Sequence, residues 1–568
     1  MSRPRLLIVG IDGATWKLMG PWIEDGSLPT LADLVRRGSS GQLLSVPNMH
    51  SPAAWTSFMT GTNPGKHGIF FFSERAPGSY QLRPINGGRR EGKTMWRLLS
   101  DGGFRVGVLN VPMTYPAESL GEGFMIAGMD APRATSARFT HPETLAVEIE
   151  QHVRRGVLQT GLISGAIGTD IVRGRYAQAG KTLVERVNLR TAVCDYLLRT
   201  RPTDVFAVVY TETDGAQHFF WRFVDPSHPD YRPGEAVRYG AVIRDVYRAI
   251  DRGVAGMMAR HKPDAVLIVS DHGFGPAFGP QGSMQFLQLL LEALGFMVPL
   301  HEGLTENAAP ARRSGLHRRV LRQILSAAPW VLPQNMRTLL RRVPGVRAVR
   351  RSAGYRLDWA RSRAFCAGCP GEVFVNLRGR EPEGCVEPGV EYERVREEII
   401  AALGRCRDAD GGPIIAEIRR REELYHGPHA DKAGDLFVRL VDRAITSVSL
   451  DGKVIEIPRR LLGRRRVRSG FHRPEGIFIL AGAGIQQGAA LEGLRLYDVA
   501  PTALYYLGLP IPAALDGRVV LEAFAASFTA ARPPSYVDDG RQEGGPEVVY
   551  SLEEAGAVEE RLRDLGYL

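Results

Sequence analysis

The chain has 568 residues, of which 44% are apolar and 24% are charged. This globular composition excludes a disordered, collagen-like or fibrous protein, and the length is sufficient to bury a large core. Five cysteines are too few for a disulfide scaffold and indicate a reducing compartment. The net charge of +10 is local, because residues 312–363 carry fourteen arginines and a single acid, Asp358.

The N-terminal segment predicts neither a signal peptide nor a membrane anchor. The apolar run at residues 6–11 stops at Asp12, which is too early for a signal peptide, and no small-residue cleavage site follows. No apolar stretch approaches the roughly 18 residues that a membrane-spanning helix needs. We therefore expect a cytoplasmic protein.

Three short apolar segments predict buried strands, and an acidic residue follows each of them. The strands lie at residues 6–11, 205–210 and 265–270, and the acids are Asp12, Asp214 and Asp271. Unbroken β-branched runs are typical of parallel strands that helices cover on both faces. Polar residues beyond the carboxyl ends of such strands meet in one crevice, where three acids would repel one another without a cation. The pattern therefore predicts a cation site.

The segments between these strands have helical patterns. Pro29 and Gly38 mark the start and the end of one helix, residues 182–199 form a second, and residues 497–507 form a third. A further apolar strand covers residues 476–481. This alternation predicts an α/β fold with a mostly parallel central sheet that is flanked by helices on both faces.

Two stretches interrupt the alternation and predict insertions over the sheet. We expect the first part of the core at 1–275 with a helical insertion at about 131–181, a cap at 276–421 that contains the basic segment 312–363, the second part of the core at 422–531, and a tail with a short helix at 532–568. The basic segment is typical of a solvated helical face, with an anionic membrane surface as the alternative partner. Because it has few aromatic residues to stack on bases, we expect no nucleic-acid binding.

Histidines accompany the acids at spacings that suit metal binding. His218 follows Asp214 by four residues, so both project from one face of a helix. His272 directly follows Asp271, and His472 precedes the apolar strand at residues 476–481. Mixed aspartate and histidine ligands favour zinc, with manganese or iron as alternatives.

A candidate nucleophile lies in residues 46–61, which form a loop that continues into an apolar helix. Ser51 is at the predicted start of this helix, where free backbone N–H groups and the helix dipole favour an anion. Taken alone, a serine at this position is typical of a helix cap. Beside a metal ion its hydroxyl becomes a nucleophile, because coordination lowers the pKa of the hydroxyl group.

Three further motifs receive no role in this site. Residues 87–94 match the phosphate-loop pattern G-x-x-x-x-G-K-[ST], but polar residues and a proline precede them, so we expect a basic turn that caps a helix. Cys366 and Cys369 form a C-x-x-C without a second pair, in a turn that favours a structural role. His426 and His429 are open to a third metal site or a substrate contact, although their proline-containing loop favours a supporting position.

Five motifs follow one another in a fixed order. They are Ile11-Asp12-Gly13, the run from Ser51-Pro52-Ala53-Ala54-Trp55 to Ile69, Asp214-x-x-x-His218, Asp271-His272-Gly273-Phe274, and Gly470-Phe471-His472-x-x-x-Gly476. Together they resemble the type I phosphodiesterase/nucleotide pyrophosphatase family of the alkaline phosphatase superfamily. The resemblance extends to residues 496–510 and covers little of residues 285–370.

The resemblance implies an alkaline-phosphatase-like core with two divalent metal ions. The implied ligands form two sets: Asp214, His218 and His472 for one ion, and Asp12, Asp271 and His272 for the other. Ser51 would bridge the ions as the nucleophile and form a phosphoseryl intermediate. The preferred ions are zinc. Two divalent ions carry more positive charge than three aspartates carry negative charge, and this excess favours an anionic phosphoester as the substrate.

Two positions depart from the family pattern. Many members have a threonine nucleophile and, three residues later, an asparagine that holds a phosphoryl oxygen, where this chain has Ser51 and Ala54. Asn48 is a candidate to replace the missing donor as a substrate contact. We expect a phosphodiester or pyrophosphate substrate, with phosphomonoesterase, phosphonate hydrolase or phosphotransferase activity as alternatives. A second alternative is a non-catalytic protein that binds anionic surfaces through its basic segment.

Overall fold

The structure is a computed structural model of the chain. It describes residues 3–163, 167–277, 284–300, 357–443, 445–457, 468–538 and 549–565. Most of the basic segment lies outside these ranges, so its role stays a prediction. No helix in the described ranges is both long enough and apolar enough to cross a membrane.

A nine-stranded sheet forms the centre of the molecule. In spatial order its strands are Ala489–Arg495, Gly38–Leu44, Glu475–Gly482, Ala265–Val269, Leu6–Ile11, Val205–Tyr210, Val106–Leu109, Phe124–Ile126 and Thr140–His141. All run in the same direction except Glu475–Gly482 and Thr140–His141. The sheet is flanked by helices, which confirms the predicted α/β fold with a mostly parallel sheet.

The three strands that were predicted to carry acids are neighbours at the middle of this sheet. Leu6–Ile11 and Val205–Tyr210 are buried along their whole length, as their uniformly apolar sequences require. Ile11 lies opposite Tyr210, and Gly10 lies opposite Val269 on the other side. The carboxyl ends of the three strands are therefore level, and the residues that follow them emerge at the same place.

Helices connect and cover the strands. Those in the described ranges are Trp16–Glu24, Pro29–Arg37, Ser51–Thr60, Pro64–His67, Met95–Asp101, Leu145–His152, Ile167–Val172, Tyr176–Thr200, Glu212–Phe220, Pro233–Tyr239, Val242–His261, Met284–Ala293, Val390–Gly404, Arg421–Leu424, Val499–Tyr506, Ala526–Ala531 and Leu552–Leu565. The helices predicted from Pro29, at 182–199 and at 497–507 are all among them. The last helix returns to the main domain, where Arg561 donates to the carbonyl of Met129 at 2.6 Å.

A smaller antiparallel sheet lies in the inserted part of the chain. Its strands, in spatial order, are Ala364–Phe365, Glu372–Val375, Leu436–Leu440 and Ile415–Arg420. Together with the helices Met284–Ala293 and Val390–Gly404 they enclose a separate apolar core, which extends to Ile457. The remaining strands of the described residues pair in two-stranded sheets: Ser73–Arg75 with Leu82–Pro84, Gly273–Pro276 with Gly470–Arg473, Ser447–Leu450 with Lys453–Glu456, and Ile511–Pro512 with Tyr536–Val537.

The chain leaves this smaller core later than the sequence indicated. The second part of the main core was expected from residue 422, but Leu436 and Val438 are buried in the smaller core. In this strand buried residues alternate with less buried ones, as expected for an antiparallel strand with one covered face. The main sheet resumes with Glu475–Gly482.

Candidate functional site

The carboxyl ends of the three central strands bring the predicted acids together. Asp12 directly follows Ile11, Asp271 comes two residues after its strand, and Asp214 lies in the first turn of the helix Glu212–Phe220. All three acids are buried. The turn at Gly13 has a φ of +70°, which glycine adopts without strain, and its N–H donates to Oδ1 of Asp271 at 3.2 Å.

One set of potential ligands consists of Asp214, His218 and His472. Nε2 of His472 lies 3.1 Å from Nε2 of His218 and 3.1 Å from Oδ1 of Asp214. Both histidines donate through Nδ1 to backbone carbonyls, His218 to Gly470 at 2.9 Å and His472 to Met49 at 2.8 Å. A neutral imidazole has one N–H, so both Nε2 atoms present lone pairs. Two lone pairs and a carboxylate oxygen at these distances repel one another unless a cation binds them.

The second set consists of Asp12, Asp271 and His272. Nδ1 of His272 donates to the carbonyl of Gly273 at 3.0 Å, which leaves Nε2 as an acceptor. This Nε2 lies 3.6 Å from Oδ1 of Asp12 and 3.4 Å from Oδ2 of Asp271. These two carboxylate oxygens are buried and have no hydrogen-bond donor among the described residues.

The protonation states agree with a metal centre. Burial, together with the charges of Asp271 and Asp214, raises the pKa of Asp12 well above its usual value. Burial also raises the pKa of Asp271 and lowers the pKa of His218 to about 3. The charged forms of both acids are thus destabilised without a cation, and the His218 imidazole is neutral, as a metal ligand must be. In each set one donor atom per residue lies within 4.8 Å of the others, and nitrogen and carboxylate donors of this kind fit zinc.

Ser51 lies beside both sets. It is the first residue of the helix Ser51–Thr60 and is completely buried. Its Oγ is 3.5 Å from Nε2 of His272. The rings of His272 and His472 stack with their centroids 3.7 Å apart, so the two sets adjoin. The N-cap position of the helix belongs to His50, not to Ser51.

Asn48 lies near the nucleophile, but its side chain already has a partner. Nδ2 of Asn48 donates to the carbonyl of Phe70 at 2.7 Å, and the residue is 2% exposed. This bond joins the loop before Ser51 to the loop after the helix Pro64–His67. A contact between Asn48 and a substrate stays a prediction.

Sequence reasoning missed the side chain that supports Asp12. Nε1 of Trp55 donates to Oδ2 of Asp12 at 3.0 Å. The indole lies over Gly10, where a Cβ atom would be only 2.4 Å from the ring. A glycine in an otherwise bulky buried strand, two residues before an acid, was the available signal.

The remaining motifs lie outside both ligand sets. Thr94 caps the helix Met95–Asp101 by accepting from the N–H of Arg97 at 3.2 Å, so residues 87–94 form the predicted capping turn. The described cysteines, including Cys366 and Cys369, are free thiols. Nε2 of His426 lies 3.0 Å from Asp516, and Nε2 of His429 lies 2.7 Å from Glu91. Among the described residues, only the two sets above bring three potential ligands this close together.

The fold and the two sets of potential ligands define an α/β protein with candidate metal-binding residues. The model of the type I phosphodiesterase/nucleotide pyrophosphatase family matches residues 6–459. The chain therefore belongs to this metal-dependent family and is a phosphoester hydrolase. A search of curated proteins finds no match.

Several solved structures are similar to this chain. Phosphonoacetate hydrolase from Sinorhizobium meliloti, in complex with phosphonoformate, has a TM-score of 0.47 and 13% identity, covering 88% of this chain and 98% of its own. Murine ectonucleotide pyrophosphatase/phosphodiesterase 5 has a TM-score of 0.46 and 12% identity, covering 92% and 100%. The human protein of that name has a TM-score of 0.45 and 11% identity, covering 91% and 98%.

Proposed function

We propose that the chain is a dinuclear-metal phosphodiesterase or pyrophosphatase in which Ser51 is the nucleophile. The observation that carries this proposal is the group of acceptor atoms beside the Ser51 hydroxyl. Nε2 of His272 lies 3.5 Å from Oγ of Ser51 and within 3.6 Å of one oxygen each of Asp12 and Asp271, and no described residue donates to either of those two oxygens. Such an arrangement is costly in a folded protein unless a ligand of positive charge completes it.

The six ligands would hold two divalent ions, most suitably zinc, in their two sets. When bound, these ions would lower the pKa of the Ser51 hydroxyl and neutralise charge on the phosphoryl group. Oγ of Ser51 loses its proton and attacks phosphorus, the bond to the leaving oxygen breaks, and the leaving group takes up a proton and departs as an alcohol. The resulting phosphoseryl group keeps the other ester substituent of a diester. In a second step water attacks phosphorus, the bond to Oγ breaks, a phosphomonoester is released and Oγ regains a proton. The helix N-terminus at Ser51 directs its dipole toward the phosphoryl anion.

The chain's own residues also keep the ligands in the correct form. Carbonyls of Gly470, Met49 and Gly273 accept the Nδ1 protons of the three histidines, so that each Nε2 stays free to bind a metal. Ser51 is buried, and in such a low-dielectric setting electrostatic interactions with a bound substrate are stronger than in bulk water.

Replacement of the nucleophile tests the proposal. Ser51→Ala is expected to retain two metal ions per chain by elemental analysis but to lose roughly 10⁴-fold or more of the hydrolysis rate. Ser57→Ala is the matched control, since Ser57 lies in the same helix and contacts His67 at 2.9 Å instead of the site. One neutral hydrogen bond contributes only about 1 kcal/mol to stability, so the Ser57→Ala protein should remain folded. Because Ser57 does not contact the site, we expect its hydrolysis rate to stay within about threefold of wild type. A Ser51→Ala enzyme with an undiminished rate would remove Ser51 as the nucleophile.

The substrate class requires a second measurement. Hydrolysis of bis-p-nitrophenyl phosphate, compared with p-nitrophenyl phosphate in the presence of zinc or manganese, separates a diesterase from a monoesterase. We expect faster turnover of the diester. Faster turnover of the monoester would favour the alternative phosphomonoesterase, and turnover of neither ester, with tight binding to anionic vesicles, would favour the non-catalytic alternative.

A further inference from the structure

The start of the nucleophile's helix offers few donors to a phosphoryl group. Pro52 has no backbone N–H, and the side chains of Ala53 and Ala54 are methyl groups. The N–H of Ala54 already donates to the carbonyl of His50 at 2.9 Å. A phosphoryl group in transfer develops charge on its non-bridging oxygens, and positioned donors stabilise that charge. A side chain outside this first turn can add a donor to the backbone N–H groups of the turn.

His50 is a buried polar side chain next to the nucleophile. It directly precedes Ser51 and is 7% exposed. Neither of its ring nitrogens has a hydrogen-bond partner among the residues that the structure describes. The ring nitrogens of His50 are therefore available to a bound partner. Asn48, by contrast, is bonded to Phe70.

The position of the His50 ring agrees with this interpretation. The ring packs edge-to-face on Phe71 with the centroids 5.0 Å apart, and it lies 5.7 Å from the ring of His472. Asp214 is near enough for its charge to act on the ring. An imidazole carries at least one N–H donor in either of its protonation states. The Phe71 contact fixes the ring plane, while its nitrogens remain available.

We propose that His50 donates its ring N–H to a non-bridging oxygen of the phosphoryl group that is bound at Ser51. In this role His50 touches the substrate and determines how the phosphoryl group is oriented during attack. The inference rests on the proposed function, because it requires a phosphoryl group at Ser51.

Two substitutions separate the donor from the bulk of the ring. His50→Phe keeps an aromatic ring without a donor, and His50→Gln keeps a donor. For bis-p-nitrophenyl phosphate, we expect kcat/KM to fall about 10²-fold in His50→Phe and to stay within about tenfold of wild type in His50→Gln. Orthovanadate, which mimics the phosphoryl group in transfer, should bind about 10²-fold more weakly to His50→Phe by calorimetry. Both variants should retain two metal ions per chain.

His261→Phe is a matched control for the replacement of a buried histidine. His261 is 5% exposed, and its Nε2 also has no partner among the described residues. It contacts Leu6, at the end of the strand opposite to Asp12, so its replacement should leave kcat/KM and vanadate affinity unchanged.

The outcomes distinguish this inference from the proposed function. Wild-type kcat/KM and vanadate affinity in His50→Phe, or a loss that is explained by missing metal, would overturn the role of His50. If Ser51→Ala is inactive in the same experiment, the proposed function survives that result. An active Ser51→Ala enzyme, or a wild-type protein that binds no vanadate and hydrolyses neither ester, would overturn both.

Discussion

The buried acids of the smaller core and those of the main sheet differ in whether the protein supplies hydrogen-bond donors to their oxygens. Asp435, which directly precedes the strand Leu436–Leu440 of the smaller sheet, is completely buried. Arg380 donates to both of its oxygens, at 2.7 and 2.6 Å. Tyr392 donates at 2.8 Å, and the N–H of Val375 donates at 2.7 Å. At the carboxyl end of the main sheet, Asp12 and Asp271 are equally buried, and each keeps one oxygen without a donor in the described structure.

The difference shows how to separate a structural acid from a ligand. Burial alone would raise the pKa of Asp435, but the hydrogen bonds and charge of Arg380 outweigh it and lower the pKa. For Asp12, burial and two neighbouring carboxylates act in the same direction and raise the pKa. A buried acid that the protein has neutralised with its own cation stabilises the fold, whereas one without a cation is available to a metal ion.

The strongest test of this comparison replaces one acid in each group by its amide. Asp271→Asn should lose a metal ion from its set and reduce the hydrolysis rate by about 10³-fold or more, because a catalytic metal contributes several kcal/mol. Asp435→Asn should retain both ions and the wild-type rate in the folded protein. Elemental analysis and the rate with bis-p-nitrophenyl phosphate measure both effects. If both variants lost metal and hydrolysis rate equally, the effect would come from replacing any buried acid, and the absence of a protein cation beside Asp271 would not explain it.

The unfolding free energy should be affected in the reverse order, with a larger loss in Asp435→Asn than in Asp271→Asn. Asp435→Asn leaves the half-buried guanidinium groups of Arg380 and Arg421 without a carboxylate, so we expect a loss of about 3 kcal/mol in unfolding free energy at neutral pH. The folded pKa of Asp435 is below its ordinary value of 3.8, so its contribution is complete above that pH and disappears as the pH falls through the folded pKa. The difference between wild type and Asp435→Asn, measured by urea unfolding of the metal-free proteins, should therefore shrink between pH 5 and pH 2. A difference that grows on acidification would contradict this account.

The sequence predicted those parts of the molecule that depend on local patterns. Continuous apolar runs predicted the central strands. The six predicted ligands and Ser51 come directly after these strands or lie in short motifs, and the level ends of the strands bring them together. The late return to the main sheet was not predictable, because the short strand at Leu436 and Val438 resembles a strand of either core until its neighbours are known. Trp55 and His50 were missed for a related reason. Their roles depend on packing over Gly10 and against Phe71, and these contacts leave no periodic pattern in the sequence.

The smallest predicted effect concerns Trp55, which provides Asp12 with its single side-chain donor among the described residues. Trp55→Phe keeps an aromatic ring over Gly10 but removes the bond from Nε1 to Oδ2 of Asp12. Partners that orient a metal ligand typically contribute 10- to 100-fold in metal affinity or activity. We therefore expect zinc affinity, measured by competition with a chelator, to fall by roughly 10-fold, and the rate at saturating zinc to recover most of its wild-type value. Trp96→Phe is a matched control, since Trp96 is equally buried in the same core and its Nε1 has no described partner. Equal zinc affinity in both variants would mean that packing over Gly10, and not the hydrogen bond, orients Asp12.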